Sequence, residues 1–242
     1  MSGKFARMIL SGSLALPLHA QATSLAIAER SCSALGRKIL GVVHAFRDEV
    51  HAVSCQNLNQ SRTLVAVAHA PAGYTMRTSD TLPIHVALIS MKHEAIQAIG
   101  QIGVAEDSGQ EIDESSLRWD ETPIELAAER LGYALQITPA YHSSGAAESG
   151  RGTNMTLFLA DGGSMRPVLR DVYLSSWDQI CERPPCTHDD VTTRVFNTTY
   201  SLAATSSHGL RDIVLTTTVD EDSSTMKRRV LRFDGARYVV PD

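Results

Sequence analysis

Apolar residues along this chain recur in short runs and at alternate positions more often than at helical spacing. "TLVAVAHA", "LPIHVALISM" and "EAIQAIGQIGV" follow one another between residues 63 and 104. "YALQITPAYH", "NMTLFLA" and "MRPVLRDVYL" lie between 133 and 174. "VTTRVFNTTYSLAAT", "RDIVLTTTV", "RRVLRF" and "RYVV" fill most of 191–240. Their lengths and β-branched content predict strands. Upstream, "KILGVVHAF" and "EVHAVSC" flank Arg47 and Asp48 and predict a first hairpin. "DGG" at Asp161–Gly163, "HG" at His208–Gly209 and "DGA" at Asp234–Ala236 supply turn chemistry. The expectation is a mostly-β fold of antiparallel sheets, as a sandwich, barrel or propeller-like array.

One segment departs from this pattern. "TPIE" at Thr122–Glu125 has capping-box spacing, with Pro123 in the first helical position. Ile124, Ala128 and Leu131 then share a face and Gly132 can end the helix, so a short helix is expected near 123–131. The polar tract "EDSGQEIDESS", 106–116, reads as a solvated loop. If the domain divides at all, it divides there.

The N-terminus changes the picture. "MSGKFAR" carries Lys4 and Arg7 and no acid, "MILSGSLALPL" is apolar but too short to span a bilayer, and "HAQA" has small residues at Ala20 and Ala22. This predicts a secretory signal peptide over 1–22 and a periplasmic protein with no membrane anchor. The remaining 23–242, about 220 residues, suits a single β-rich domain. The formal charge of the whole chain is −5, which argues against nucleic acid and anionic membrane surfaces as partners. The four cysteines all follow the leader, and an even count in an exported chain favours disulfides. Proximity in sequence pairs Cys32 with Cys55 and Cys181 with Cys186. "CERPPC" with His188 lacks the spacing and the second pair of a zinc knuckle.

The most unusual stretch is "HSSGAAESGRGTNMTLFL", His142–Leu159. Its "GAAESGRGT" imitates a phosphate loop, but Arg151 stands where lysine belongs and a strand, not a helix, follows. As a nucleophile loop it lacks the G-x-S-x-G elbow, and of the scattered histidines His44, His51, His69, His85, His93, His188 and His208 several alternate with apolar residues and read as strand-face residues rather than bases. The stretch therefore reads as a polar loop between two strands, placed for recognition.

Two segments carry a resemblance. "HGLRDIVLTTTVDEDSSTMKRRVLRFDGARYV" resembles FG-GAP or VCBS-like β-modules. "MTLFLADGGSMRPVLRDV" is similar to a hairpin of small exported proteobacterial proteins, among them periplasmic immunity proteins and lysozyme inhibitors. The likeness covers roughly the last ninety residues. It implies a non-enzymatic exported protein that neutralises a toxin or effector enzyme attacking the cell envelope, a partner encoded next door. It implies no cofactor. Gly209, Asp212, Ile213 and Val214 match the module's calcium loop, while Ala204, Ser206 and His208 stand where ligands belong; Asp212, Asp220 and Asp222 are the weak calcium candidates that remain. Ser144 and Gly145 match the start of an inhibitor "SGxxY"-like loop, so Tyr141, Ser144, Glu148 and Arg151 are the expected partner-binding residues. The alternatives are a periplasmic hydrolase of envelope material and a structural or adhesive module.

Overall fold

The computed structural model describes residues 31–74, 81–105, 110–141, 149–181, 191–219 and 222–241. The predicted leader over 1–22, Ser144, Glu148, Cys186 and Asp220 lie outside these residues.

The chain is mostly β, as expected. After one helix, α1 (31–42), come β1 (Glu49–Asn59), β2 (Arg62–Ala70), β3 (Thr81–Ser90), β4 (Ala95–Ala105), β5 (Gln110–Glu111), β6 (Leu117–Trp119), β7 (Ile124–Ala127) and β8 (Arg130–Ile137). Then follow β9 (Ala140–Tyr141), β10 (Ser149–Arg151), β11 (Asn154–Asp161), β12 (Ser164–Tyr173) and β13 (Ser175–Cys181). Last come β14 (Val191–Ser207), β15 (Leu210–Val219), β16 (Asp222–Phe233) and β17 (Tyr238–Val239).

A nine-stranded sheet has the order β1-β2-β3-β4-β12-β11-β8-β6, with β7 also on β8. It curls until β6 lies beside β1, where Gln56 donates to the Glu121 carbonyl at 3.4 Å. The result is a nearly closed barrel. All its ladders are antiparallel except β4–β12, which meet in parallel at Ile99 and Ser164. A six-stranded half-barrel, β10-β13-β14-β15-β16-β17, lies against it, and β5 pairs β9 separately.

The apolar runs are long because many strands are covered on both faces. In β2, Leu64, Ala66, Ala68 and Ala70 point into the barrel while Val65 and Val67 point out, under Ile39 and Leu40 of α1. On the other side, Met155, Leu157, Val168 and Val172 face outward against Ile213, Leu215, Leu231 and Phe233 of the half-barrel. Each fully buried Leu or Ile contributes about 1.5–3 kcal/mol. The outer edge of the half-barrel is guarded by exposed Lys227, Arg228 and Arg229 on β16, charges that discourage edge-to-edge pairing.

Three expectations are corrected. "KILGVVHAF" is not the first strand of a hairpin: Leu35, Ile39, Leu40 and Val43 form a helical stripe on the outer barrel face, and α1 leads into β1. The segment 123–131 is not a helix. β7 and β8 form a hairpin with Ala127 opposite Arg130, and Leu126 is fully buried between the sheets. Helical propensity loses there to that burial. Gly132, expected to end a helix, instead gives Leu126 room: a Cβ on Gly132 would lie 2.9 Å from Leu126 Cδ1. Finally, the tract 106–116 is not wholly solvated, since Ile112 is buried in the barrel and Ser116 beneath it. Asp113 Oδ1 accepts from Ser115 and Ser116 there, and these hydrogen bonds hold its carboxyl below the usual carboxylate range.

The predicted Cys32–Cys55 disulfide is present, with Cα atoms 5.8 Å apart. It ties the start of α1 to β1 rather than closing a hairpin. Cys181 ends β13, but its proposed bond to Cys186 lies outside the described residues.

Candidate functional site in the cleft between the sheets

The stretch singled out in the sequence joins β8 to β11, which are antiparallel neighbours with Asn154 opposite Ile137. Neighbours of this kind are commonly joined by a tight turn. Here the chain instead leaves the barrel at Thr138. It pairs as β9 with β5, Ala140 against Glu111, and reappears as β10 on the half-barrel, Gly150 against Trp177. It then re-enters the barrel at Asn154. The connection is thus pinned to a separate ribbon at one stem and to the second sheet at the other.

The glycines of "SGRGT" serve close approach. A Cβ on Gly150 would lie 2.3 Å from Trp177 Nε1, and one on Gly152 would lie 2.2 Å from Ser175 Oγ. Without side chains there, β10 rests directly on β13. The Thr153 amide donates to Ser175 Oγ at 3.0 Å, the Gly152 amide to the Ser175 carbonyl at 3.0 Å, and the Leu174 amide to the Thr153 carbonyl at 2.7 Å. Thr138 and Thr153 join their hydroxyls at 2.8 Å across the two stems.

Beneath these stems the structure is open. β4 and β12 touch at Ile99 and Ser164 and then part. Further along β12, Asp171 takes φ 55° at an irregularity of the β11–β12 ladder, in a left-handed conformation that Asp tolerates better than most residues. The gap is a groove of ≈ 400 Å³ lined by Val104, Pro139, Gly152, Asn154, Arg170 and Tyr173, among others. A second groove of ≈ 600 Å³ runs between β12 and the half-barrel, where Ser176, Asp178, Thr198, Thr217 and Arg229 face Arg170 and Asp171. Arg170 and Asp171 belong to both walls. The walls offer hydroxyls, an amide, backbone groups and both signs of charge, a surface for hydrogen-bonded recognition. No histidine or cysteine is among the described residues lining either groove.

The two sheets are locked beside this cleft by one polar chain. Tyr200 of β14 donates to Asp120 Oδ2, Gln136 Nε2 donates to Asp120 Oδ1, and Arg118 Nη2 donates to Gln136 Oε1 at 2.7 Å. Burial first, then the Asp120 carboxylate, push the Tyr200 phenol well above the ordinary tyrosine value. Tyr238, which donates to the Arg211 carbonyl at 2.7 Å, is pushed up to about 12 by burial and by Asp212.

The predicted partner-binding residues divide. Tyr141 pairs with Gln110 at one stem and Arg151 with Ser176 at the other, their side chains being outside the description, as are Ser144 and Glu148 altogether. The calcium candidates do not form one set. Asp212 is buried on β15, accepts the Thr205 hydroxyl at 2.6 Å and leaves Oδ1 without a partner among the described residues. Asp222 pairs with Val219 at the opposite end of β15. Among the described residues no group of three His, Cys, Asp or Glu is placed to hold a metal.

Sequence reasoning missed Trp177, Arg170 and Asp171, since only the approach of β10 to β13 and the parting of β4 from β12 make them neighbours. The glycines at 150 and 152 were the available signal of close approach. His69 and His85 do sit on strand faces, but their direct contact depends on the β2–β3 register.

No helix among the described residues is long and apolar enough to cross a membrane. No family description, no curated protein and no solved structure matches this chain.

Proposed function

We propose that the protein is an exported binding protein that neutralises a toxin or effector enzyme directed at the cell envelope. The contact is the β9–β10 connection together with the rim of the cleft that its stems line, centred on Arg170, Asn154 and Tyr173. The observation that carries this reading is that the connection's two stems pair on different sheets, beside a groove that Pro139, Gly150 and Gly152 help to line. Stems fixed in advance lower the ordering cost of a contact. The Cys32–Cys55 disulfide is compatible with an extracytoplasmic location.

The partner would be encoded beside this gene and would carry carboxylates in its cleft, which arginine can engage in bidentate fashion. The test is protection. Cells that export the adjacent gene's product should survive when this protein is co-exported and lyse when it is absent. Lysis in both cases contradicts the reading. Cleavage of wall fragments by this protein alone supports the periplasmic hydrolase instead.

A further inference from the structure

A second constellation lies on the outer barrel face, away from the cleft. α1 ends in a Schellman motif: His44 takes φ 61°, and the Ala45 amide donates back to the Leu40 carbonyl at 2.8 Å. The Asp48 amide then donates to the Ala45 carbonyl at 3.0 Å, and this tight turn delivers the Asp48 carboxylate to His69. Asp48 Oδ2 is 2.7 Å from His69 Nδ1, and His69 Nε2 is 2.9 Å from His85 Nδ1. The rings stack at 5.0 Å, and both histidines are nearly buried, at 4% and 9% exposure.

Proton counting limits what this chain can hold. An ionised Asp48 only accepts, so His69 Nδ1 carries a hydrogen. The N···N contact needs one N–H and one lone pair. With both rings neutral, His85 Nδ1 donates to His69 Nε2. With one added proton on either ring, the contact still has one N–H and one lone pair, and the imidazolium donates to its neighbour. A second added proton puts N–H against N–H at the same contact and two cations face to face in a buried place. The set therefore takes one proton and resists the next.

We infer that Asp48, His69 and His85 form an acid-triggered latch: a second proton on the pair releases the 44–50 turn from the barrel. The remainder of the geometry makes release local. Cys32–Cys55 holds the start of α1 whatever the pH, and buried Ile39 and Leu40 hold its last turn, whereas the 44–50 turn beyond them already exposes Phe46. Ionisable groups on the elements that meet here are Arg37 and Lys38 on α1, His44 and Arg47 on the turn, Glu49 and His51 on β1, Arg62 at the far end of β2 and Tyr74 after it; β4 places Gln101, which does not titrate, opposite His85. Burial, and after it His69, lower the His85 imidazole from its ordinary value, so the second proton enters on the acid side of the usual histidine range. The latch itself does not depend on the partner-binding reading, because its residues lie apart from the cleft.

The experiment is hydrogen exchange and imidazole NMR on the intact protein between pH 7.5 and pH 5. After correction for intrinsic rates, amides of 44–50 should lose at least about tenfold in protection at pH 5 relative to β3 and β4 amides, the range expected of local opening rather than unfolding. In His85→Gln, whose amide can still meet His69 Nε2, the loss should vanish. Equal protection at both pH values, or an undiminished loss in His85→Gln, overturns the inference. Should that variant fail to fold, the wild-type titration decides: two coupled imidazole steps, the second on the acid side, support the latch, and two independent steps near the ordinary value overturn it.

Discussion

Gly150 lies directly under the indole of Trp177, so close that a single added methyl would fall 2.3 Å from Nε1. This contact, made through the absence of a side chain, seats the second stem of the loop on the half-barrel. Gly150→Ala should destabilise the protein by about 1–3 kcal/mol through overpacking. In a Trp177→Ala background the same substitution should cost little. Denaturant melts of the four variants give the coupling; a cost that persists without the indole would show that the contact is not what Gly150 serves.

Tyr200 and Asp120 join the two sheets, and the bond should be visible in alkali. Tyr200→Phe should lower stability at neutral pH by about 1 kcal/mol or somewhat more, since Asp120 loses a donor. The pH sign follows from the raised phenol. The unfolded chain ionises its tyrosines near 10 while the folded one resists, so stability is full below that value and falls as pH rises through it. Tyr238 acts in the same direction. The loss above pH 10 should therefore shrink in Tyr200→Phe without disappearing, and an identical alkaline slope in both proteins would contradict the burial of this hydroxyl.

The disulfide is the tether that makes α1 permanent. Replacing Cys32 and Cys55 with alanine should lower stability by about 3 kcal/mol, as expected for a loop of this length. Thiol titration of denatured, unreduced protein should find no free thiol, because Cys181 and Cys186 are expected to pair as well. Two free thiols would remove that second bond.

Asp212 should bring no calcium with it. It is buried, bonded to Thr205, and separated from Asp222 by the length of β15. A ligand at 100 times its Kd adds about 2.7 kcal/mol, so melts in excess calcium and in chelator should nearly coincide. A shift of many degrees would mean that oxygens beyond these supply a site.

The strands were legible wherever a run was apolar on both faces. "TLVAVAHA" is read correctly because each of its residues has somewhere to be buried, barrel or helix, and the "DGG" and "HG" turns follow from local backbone demands alone. α1 was not legible, since "KILGVV" satisfies strand and helix patterns equally and only the bare outer face of β2 and β3 decides between them. The β7 hairpin was misjudged for a related reason: a capping box is a local signal, and Leu126 answers to a long-range core. At the site, composition pointed to the loop, but the groove arises where β4 and β12 part after Ile99 and Ser164, which no local pattern announces.

The central claim is that this surface holds a protein partner, and titration calorimetry of this protein against the purified product of the adjacent gene tests it most directly. The account predicts a tight one-to-one complex. It also predicts that replacing Ser144, Glu148 and Arg151 together with alanine weakens the complex by about 100-fold or more, as for residues at the centre of a contact, while the melt of the free variant stays unchanged. Undiminished affinity in that variant would move the contact off the loop, and absence of binding together with wall-fragment hydrolysis by this protein itself would contradict the claim outright.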